Sequence, residues 1–216
     1  LDTSKTTTAN ISKASLTATL NDNSKTYDGV SYSGGSGITF NGFVNGETAS
    51  LLGGNLVYSG TSQGAKDAGN YIISGSGLTS NNYNISFVDG KLTINKKDLT
   101  ISNITANNKT YDGTTTATLS NIGTLVGLVT GEDLVLNNPT SVIFSSKDVA
   151  DGITVTASGY TIADKDSFKA SNYNLLDTSK TTTANIVASV NPTPNPTPTD
   201  NNQKPKVDEK VQRVIT

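Results

Sequence analysis

The chain repeats its own sequence at two distances, and this constrains its fold more than any other feature. The stretch LDTSKTTTANI occupies residues 1–11 and recurs letter for letter at 176–186. A looser match links ISKASLTATLNDNSKTYDG at 11–29 with INKKDLTISNITANNKTYDG at 94–113. Solenoid proteins repeat every 20–50 residues, roughly. The longer spacing found here predicts small β domains in tandem, each with its own interior.

A third match marks the end of each unit, because SNNYNISFVDGKLTI at 80–94 resembles SNYNLLDTSKTTTANI at 171–186. The identical stretches lie two units apart, so the period of the array spans two units. We therefore expect the chain to be part of a longer array. It divides into four segments: the terminal strand of a preceding repeat (1–11), a first repeat (12–94), a second repeat (95–186), and a Pro/Thr-rich linker with a charged tail (187–216).

The composition predicts an all-β, or mostly β, fold. Only 33% of the residues are hydrophobic, and no long segment carries apolar residues at helical spacing. Short segments alternate apolar and polar residues as strands do. We expect the apolar members of these segments to be buried: 16–20, 38–40, 56–58, 71–73, 85–87, 92–94, 99–101, 134–136, 142–144, 153–155, 160–162, 173–175 and 184–186.

The phrase Lys-Thr-Tyr-Asp-Gly occurs once in each repeat. Asp-Gly provides the positive φ that tight turns need, and an Asp side chain can bond its own downstream backbone. A Tyr at such a position can bury its ring while its hydroxyl finds a partner. We interpret the two motifs as structural turns rather than contact sites: Tyr27, Asp28, Gly29, Tyr111, Asp112 and Gly113.

The junction between the repeats is short. About four residues separate the strand predicted to end at Ile94 from the one predicted near Leu99, and they span at most ~14 Å when extended. Two elongated β domains joined in this way predict a semi-rigid rod on the order of 70–90 Å long.

Missing residue types exclude several functions. The chain has no Cys, His, Met or Trp, and its only Arg is Arg213. The commonest general base, the thiol nucleophile and the usual zinc ligands are therefore absent, so we expect neither an enzyme nor a bound metal or cofactor. With a net charge of −2, the chain lacks the basic surface of a nucleic-acid binder. No apolar stretch is long enough for membrane insertion.

Carboxylates offer two weak alternatives. Glu47 and Glu132 recur as Asn-Gly-Glu and Thr-Gly-Glu, which indicates a shared turn rather than the paired carboxylates of a glycosidase. The segment from Asp164 begins like a calcium-binding EF-hand loop, but Lys169 stands where Gly is needed and Leu175 where Glu is needed. We interpret it as a solvated loop.

The order of these motifs resembles a known pair of repeat domains. ANNKTYDGTTTATLS (106–120), then GEDLVL (131–136) and the closing SNYNL and ANI, resemble the YDG repeat domain. The first repeat, with ITFNGFVNGETASLLGG and GAKDAGNYIISGSGLTSNNYNISFVDGKLTI after its own YDG, resembles the MBG-type repeat. The segment DKDSFKASNYNL (164–175) departs from the Gly-Asp-Ala-Gly-Asn-Tyr pattern usual at this place in YDG repeats.

Both domain types are found in large exported adhesins of the filamentous-haemagglutinin type, which Gram-negative bacteria secrete by the two-partner route. The resemblance implies tandem small β domains of β-grasp-like or sandwich architecture. It also implies a secreted or outer-surface location and a role in cell adhesion and biofilms. It implies stalk or spacer repeats between the cell and a distal binding region. Partners of the full-length protein would be glycans or proteins of host or bacterial surfaces, and this fragment is expected to be monomeric.

Two other functions stay open at this stage. The repeats could themselves bind a glycan or protein, which would need exposed aromatic residues clustered on one face. Thr-x-Thr pairs, such as Thr17 with Thr19 and Thr154 with Thr156, raise an ice-binding alternative. Their irregular spacing argues against the flat hydroxyl ladder that such a surface requires, and Thr is a favoured strand residue in any case.

Overall fold

Strands account for nearly all the regular structure of both repeats. The computed structural model describes residues 4–189. Within that range the helical elements are two 3₁₀ turns of three residues each, Ala49–Leu51 and Ala170–Asn172. The predicted all-β fold is confirmed. Most of the predicted linker and tail lies outside the described residues.

Seven strands build the first repeat as two sheets. They are β1 (Ala14–Leu20), β2 (Asn23–Thr26), β3 (Ile38–Asn41), β4 (Gly53–Ser59), β5 (Gly69–Thr79), β6 (Tyr83–Val88) and β7 (Gly90–Asn95). One sheet has the order β3-β1-β6 and the other β2-β7-β5-β4. The pairs β1–β6 and β2–β7 are parallel, and the remaining pairs are antiparallel.

The second repeat has the same two sheets with four small additions. Its strands are β8 (Lys97–Ser102), β9 (Thr105–Ala106), β10 (Lys109–Thr110), β11 (Leu119–Asn121), β12 (Thr124–Val126), β13 (Val135–Leu136), β14 (Ser141–Phe144), β15 (Ala150–Ser158), β16 (Ile162–Ala163), β17 (Tyr173–Leu175) and β18 (Ser179–Val187). The main sheets are β12-β8-β17 and β10-β18-β15-β14, and β9–β11 and β13–β16 are short extra pairs. Strands β8, β10, β12, β14, β15, β17 and β18 thus correspond to β1, β2, β3, β4, β5, β6 and β7.

Alternating apolar residues fill the space between the sheets. Leu20 of β1 packs in one cluster with Ile73 of β5 and Leu92 of β7, so the two sheets of the first repeat share an interior. The apolar residues at both ends of each segment predicted to alternate are buried or partly buried, and so is Ala18. Val57, Ile72, Val135 and Ile143 lie between such ends and are exposed. This two-sheet interior is that of a β-sandwich rather than a β-grasp fold, because strands of both sheets and no helix supply the packed side chains.

Some strands escaped prediction because they carry no alternating apolar residues. β2 and β10 are polar segments of four and two residues, and each lies at the edge of its four-stranded sheet. Each is held through parallel pairing with the last strand of its repeat. Backbone hydrogen bonds to that neighbour, rather than side-chain burial, define them.

Residues 4–11 form no strand, although the identical sequence in the second repeat belongs largely to β18. There the segment lies between β10 and β15, whereas Ile11 is 99% exposed. A strand of this sequence depends on neighbours to complete its ladder. The expectation that residues 1–11 close a preceding repeat stays a prediction.

The connection between the repeats is shorter than predicted. β7 ends at Asn95 and β8 begins at Lys97, so a single residue separates them. The expectation of separate interiors is wrong at this place, because one cluster of buried residues contains Ile94 of the first repeat with Leu99 and Tyr173 of the second. The second repeat also has two clusters of its own, which include Phe144 and Tyr160.

Candidate functional site at the joint between the repeats

The Lys, Asp and Gly of the Lys-Thr-Tyr-Asp-Gly motif form a turn in the first repeat. The Lys25 ammonium lies 2.7 Å from Asp28 Oδ1, and the same oxygen accepts a hydrogen bond from the backbone N–H of Val30 at 2.9 Å. Gly29 has a φ of +74°, a conformation that side chains with a Cβ rarely adopt. The motif therefore forms a closed turn immediately after β2.

The second repeat forms the same turn. Lys109 Nζ donates to Asp112 Oδ1 at 2.8 Å, and the N–H of Thr114 donates to that oxygen at 2.9 Å. These bonds lower the pKa of Asp112 to about 2, the bond from Lys109 having the largest effect. Gly113 has a φ of +77°. Both motifs thus have the turn geometry that the sequence suggests.

Tyr27 extends from the first turn into the second repeat. Its backbone N–H donates to the carbonyl of Asn95 at 2.8 Å, which places it beside the end of β7. Its side chain is only 3% exposed, and its hydroxyl donates to Glu132 Oε1 at 2.6 Å. Its ring meets the ring of Tyr173 edge to face, with centroids 5.4 Å apart and an interplanar angle of 77°. Tyr27 thus has the buried ring and bonded hydroxyl that the sequence suggested, and its partners lie in the second repeat.

Glu132 receives a second hydroxyl from its own repeat. Tyr173 donates to Glu132 Oε2 at 2.6 Å, and the N–H of Val129 donates to the Tyr173 hydroxyl at 3.1 Å. The backbone N–H of Glu132 closes its turn on the carbonyl of Val129 at 3.0 Å. Each carboxylate oxygen therefore accepts one tyrosine hydroxyl. We call Tyr27, Glu132 and Tyr173 the tyrosine–glutamate clamp.

The clamp keeps both hydroxyls protonated. Burial, followed by the hydrogen bond to Glu132, raises the pKa of Tyr173 to about 12. The same two causes raise the pKa of Tyr27 further above its ordinary value. A protonated hydroxyl can donate to the carboxylate, whereas a tyrosinate beside it would add a second negative charge. The clamp is therefore stable at neutral pH.

A polar contact lies beside the clamp. The side-chain oxygen of Asn172 accepts from the N–H of Ala68 at 2.8 Å, and its side-chain nitrogen donates to Asp67 Oδ1 at 3.0 Å. Lys169 donates to the other oxygen of Asp67 at 2.5 Å. Bonds from Lys169 and then Asn172 lower the pKa of Asp67. Asn172 is 2% exposed, so these bonds satisfy an amide that the joint buries.

Besides its positive φ, Gly29 lacks a side chain that would crowd the second repeat. A Cβ at this position would lie 3.1 Å from Val129 Cγ1 and 3.2 Å from Glu132 Oε1, both across the joint. At Gly113, the equivalent position of the second turn, a Cβ would meet only the Tyr111 hydroxyl at 4.0 Å. The two glycines share a turn geometry and differ in what they face.

Tyr111 has the backbone position of Tyr27 without its contacts. Its N–H donates to the carbonyl of Val187 at 2.8 Å, beside the end of β18. Its side chain is 43% exposed, so its ring is not buried as the sequence suggested. The chain thus provides an unengaged copy of the Tyr27 turn.

The sequence contains a signal for the acceptor half of the clamp. Val-x-Gly-Glu and Ser-Asn-Tyr-Asn or Ser-Asn-Asn-Tyr-Asn recur in both repeats, and they contain Glu132 and Tyr173 as well as their counterparts Glu47 and Tyr83. The Glu was assigned to a turn, which its backbone does form. Its side-chain role depends on a contact between distant segments and was missed.

The described residues offer little basis for other chemistry. Between residues 4 and 189 no group of three or more Asp or Glu side chains is placed to hold a metal ion. In the loop compared with an EF-hand, Asp164 accepts the N–H of Ala170 at 2.8 Å and Lys165 pairs with Asp133. Over the same range no helix has the length and apolarity to cross a membrane.

We predict that Tyr27→Phe lowers the free energy of unfolding by about 1–3 kcal/mol, because it removes a buried donor from a charged acceptor. Tyr111→Phe is the matched control and should change it by less than about 0.5 kcal/mol, as exposed substitutions usually do. Chemical denaturation of both variants measures the difference. Equal effects would contradict the assignment of Tyr27 to the clamp.

Gly29→Ala and Gly113→Ala separate backbone strain from contact across the joint. Both substitutions should lower the free energy of unfolding by about 1–2 kcal/mol, because alanine is strained at a positive φ. Gly29→Ala should lose a further 1–3 kcal/mol or so, because its Cβ crowds Val129 and Glu132. Thermal and denaturant unfolding of the pair give this difference directly, and its absence would show that the second repeat does not pack against Gly29.

High pH should loosen the joint. The pKa of Tyr173 is raised from 10.0 to about 12, so the stability that the clamp contributes is complete below pH 10 and is lost as the pH rises toward 12. Ultraviolet titration of tyrosinate should show late-ionising tyrosines in the intact chain. Glu132→Gln should shift that late phase to lower pH, and an unchanged titration would contradict the clamp.

Comparison with known families agrees with the order of the two repeats. Residues 16–93 match the family model of the MBG domain (YGX type), and residues 95–184 match that of the YDG domain. No curated protein matches the chain. The clamp therefore joins a domain of one family to a domain of the other: the chain carries an MBG domain of the YGX type followed directly by a YDG domain.

Proposed function

We propose that the two domains are consecutive stalk or spacer units of a bacterial adhesin that is exposed on the surface of a Gram-negative cell or secreted from it. Their task is to hold a binding region away from that cell. The observation that carries this proposal is the tyrosine–glutamate clamp, which joins the end of one repeat to the start of the next with buried, directional bonds.

The first strand of the MBG domain begins far from the joint. In the MBG domain, β1 begins beside Tyr83, its parallel partner on β6, and ends at Leu20. A Cβ at Gly90 would lie 2.6 Å from the Leu20 carbonyl, so β7 starts where β1 stops. β7 then runs to Asn95 and the clamp. A joint between different ends of two domains allows further domains to join head to tail, as an extended array requires.

The joint restricts bending as well as separation. One residue connects β7 to β8, which leaves little freedom for the chain itself. The clamp and the neighbouring bonds of Asn172 with Asp67 and Ala68 all cross the joint. Together they resist hinge motion better than a short linker alone. Such a joint suits a spacer, whose function is to keep two parts of a protein apart.

The proposal assigns no catalytic activity to the domains. The two recurring carboxylates both accept tyrosine hydroxyls. Glu47 accepts from Tyr83, and Glu132 accepts from Tyr27 and Tyr173. The rival function, a glycan- or protein-binding module, receives less support from the surface. Among the large hydrophobic side chains exposed in the described region, Tyr111 is the sole aromatic.

Small-angle X-ray scattering of residues 1–189 tests the proposal. We expect an extended particle whose maximum dimension approaches the summed lengths of two domains, on the order of 70–90 Å. A compact particle would contradict a spacer. Tyr27→Phe should broaden the distance distribution, whereas Tyr111→Phe should leave it unchanged.

A glycan array with the same fragment addresses the rival function. No specific binding is expected. A specific glycan signal that Tyr111→Ala abolishes would replace the spacer proposal with a binding module.

A further inference from the structure

The MBG domain contains a second copy of the acceptor half of the clamp. The N–H of Glu47 donates to the Val44 carbonyl at 3.0 Å, the N–H of Val44 donates to the Tyr83 hydroxyl at 3.1 Å, and Tyr83 donates to Glu47 Oε2. These are the three bonds that Val129, Glu132 and Tyr173 make in the YDG domain, in the same order.

The difference between the two copies lies in what covers them. Val44 is 46% exposed, whereas Val129 is partly buried beneath the preceding domain. Asn82 is exposed, whereas its counterpart Asn172 is 2% exposed. Glu47 Oε2 accepts the Tyr83 hydroxyl, whereas Glu47 Oε1 has no hydrogen-bond donor among the described residues. Glu47 Oε1 corresponds to Glu132 Oε1, which accepts the Tyr27 hydroxyl.

A cleft lies at this uncovered surface. Its volume is about 310 Å³, and its walls include Val44, Glu47, Asn82, Tyr83 and the segment 11–14. In the joint already described, Ile94-Asn95-Lys96 leads into β8 as Ile11-Ser12-Lys13 leads into β1. The segment that enters the cleft is thus the counterpart of the one that crosses the joint.

The sequence of residues 1–11 indicates which kind of domain would occupy the cleft. It is identical to residues 176–186, which belong largely to the last strand of the YDG domain. That strand pairs with β10, and β10 leads directly into the turn that presents Tyr111. Any domain that ends in this strand and shares this topology places a Tyr-Asp-Gly turn beside the strand's end.

We propose that the cleft binds the Tyr-Asp-Gly turn of a preceding YDG-type domain. The incoming Tyr donates its hydroxyl to Glu47 Oε1 and sets its ring against Tyr83. This completes a second tyrosine–glutamate clamp, with an MBG domain now supplying the acceptor. MBG and YDG domains would then alternate through one kind of joint.

A second contact supports the same occupant. Ala150 of β15 pairs with Ile186, as Gly69 of β5 pairs with Ile94. By this register Asp148 is the counterpart of Asp67, and it is exposed in the YDG domain. The incoming domain therefore brings an aspartate to Asn82, as Asp67 is brought to Asn172.

This inference rests on the array that the proposed function assumes, and its test uses a duplicated chain. Residues 1–186 are followed by residues 12–216 of a second copy, so that Ile186 joins Ser12 and restores the native Ile-Ser-Lys junction. Since the chain has no Cys, one pair of introduced cysteines reports one contact. The pair is Asp148→Cys in the first copy with Asn82→Cys in the second.

The control pair is Asp67→Cys with Asn172→Cys within one copy, which reports the joint already described. We expect both pairs to form an intramolecular disulfide under mild oxidation. Tyr111→Phe in the first copy should slow cross-linking of the Asp148–Asn82 pair at least about fivefold, the loss expected for one buried hydrogen bond. Tyr111→Phe in the second copy should leave it unchanged.

The outcomes separate the two proposals. If the control pair cross-links but the Asp148–Asn82 pair does not, the inference about the cleft is wrong and the spacer proposal stands. If neither pair cross-links, the joint itself is absent and both proposals lose their basis. Equal slowing by Tyr111→Phe in either copy would also overturn the inference, because only the first copy faces the cleft.

Discussion

The carboxylate of Glu132 accepts one tyrosine hydroxyl from each domain, and the relation between the domains depends on this pair of bonds. A partly buried carboxylate is costly unless donors surround it. Here Tyr173 supplies one donor permanently, and Tyr27 supplies the second only when the domains are docked. Docking therefore replaces water at one carboxylate oxygen with a buried tyrosine hydroxyl, and a hydrogen bond to a charged group contributes more than a neutral one. The aromatic contact and the Asn172 bonds then limit the orientation.

This arrangement explains part of the recurrence of the Lys-Thr-Tyr-Asp-Gly motif in the two repeats. Lys25 and Asp28 close the turn, and Gly29 gives it a positive φ while leaving room for Val129 and Glu132. Tyr27 is the residue that the turn presents. In the second copy the same bonds form, but Tyr111 faces no acceptor in the described chain. The motif forms a turn in both repeats, but only the turn of the first repeat contributes to the joint between the domains.

Much of the fold could be predicted from the sequence because burial alternates along its longer strands. Leu16, Ala18 and Leu20 are at most 2% exposed, as their spacing indicates. Edge strands such as β2 could not be predicted, since backbone pairing alone defines them. The clamp was missed for a related reason: Tyr27 and Glu132 are 105 residues apart, and local pattern does not say which turns meet. The recurrence of Val-x-Gly-Glu was visible, but the partner of its carboxylate was not.

The central claim is that the clamp makes one mechanical body from two domains of different families. Backbone amide NMR relaxation of residues 1–189 tests this most directly, because it reports how each domain tumbles. If the joint holds, amides of the MBG and YDG domains should fit a single rotational diffusion tensor. Two independent tensors, with faster tumbling for each domain, would contradict the account.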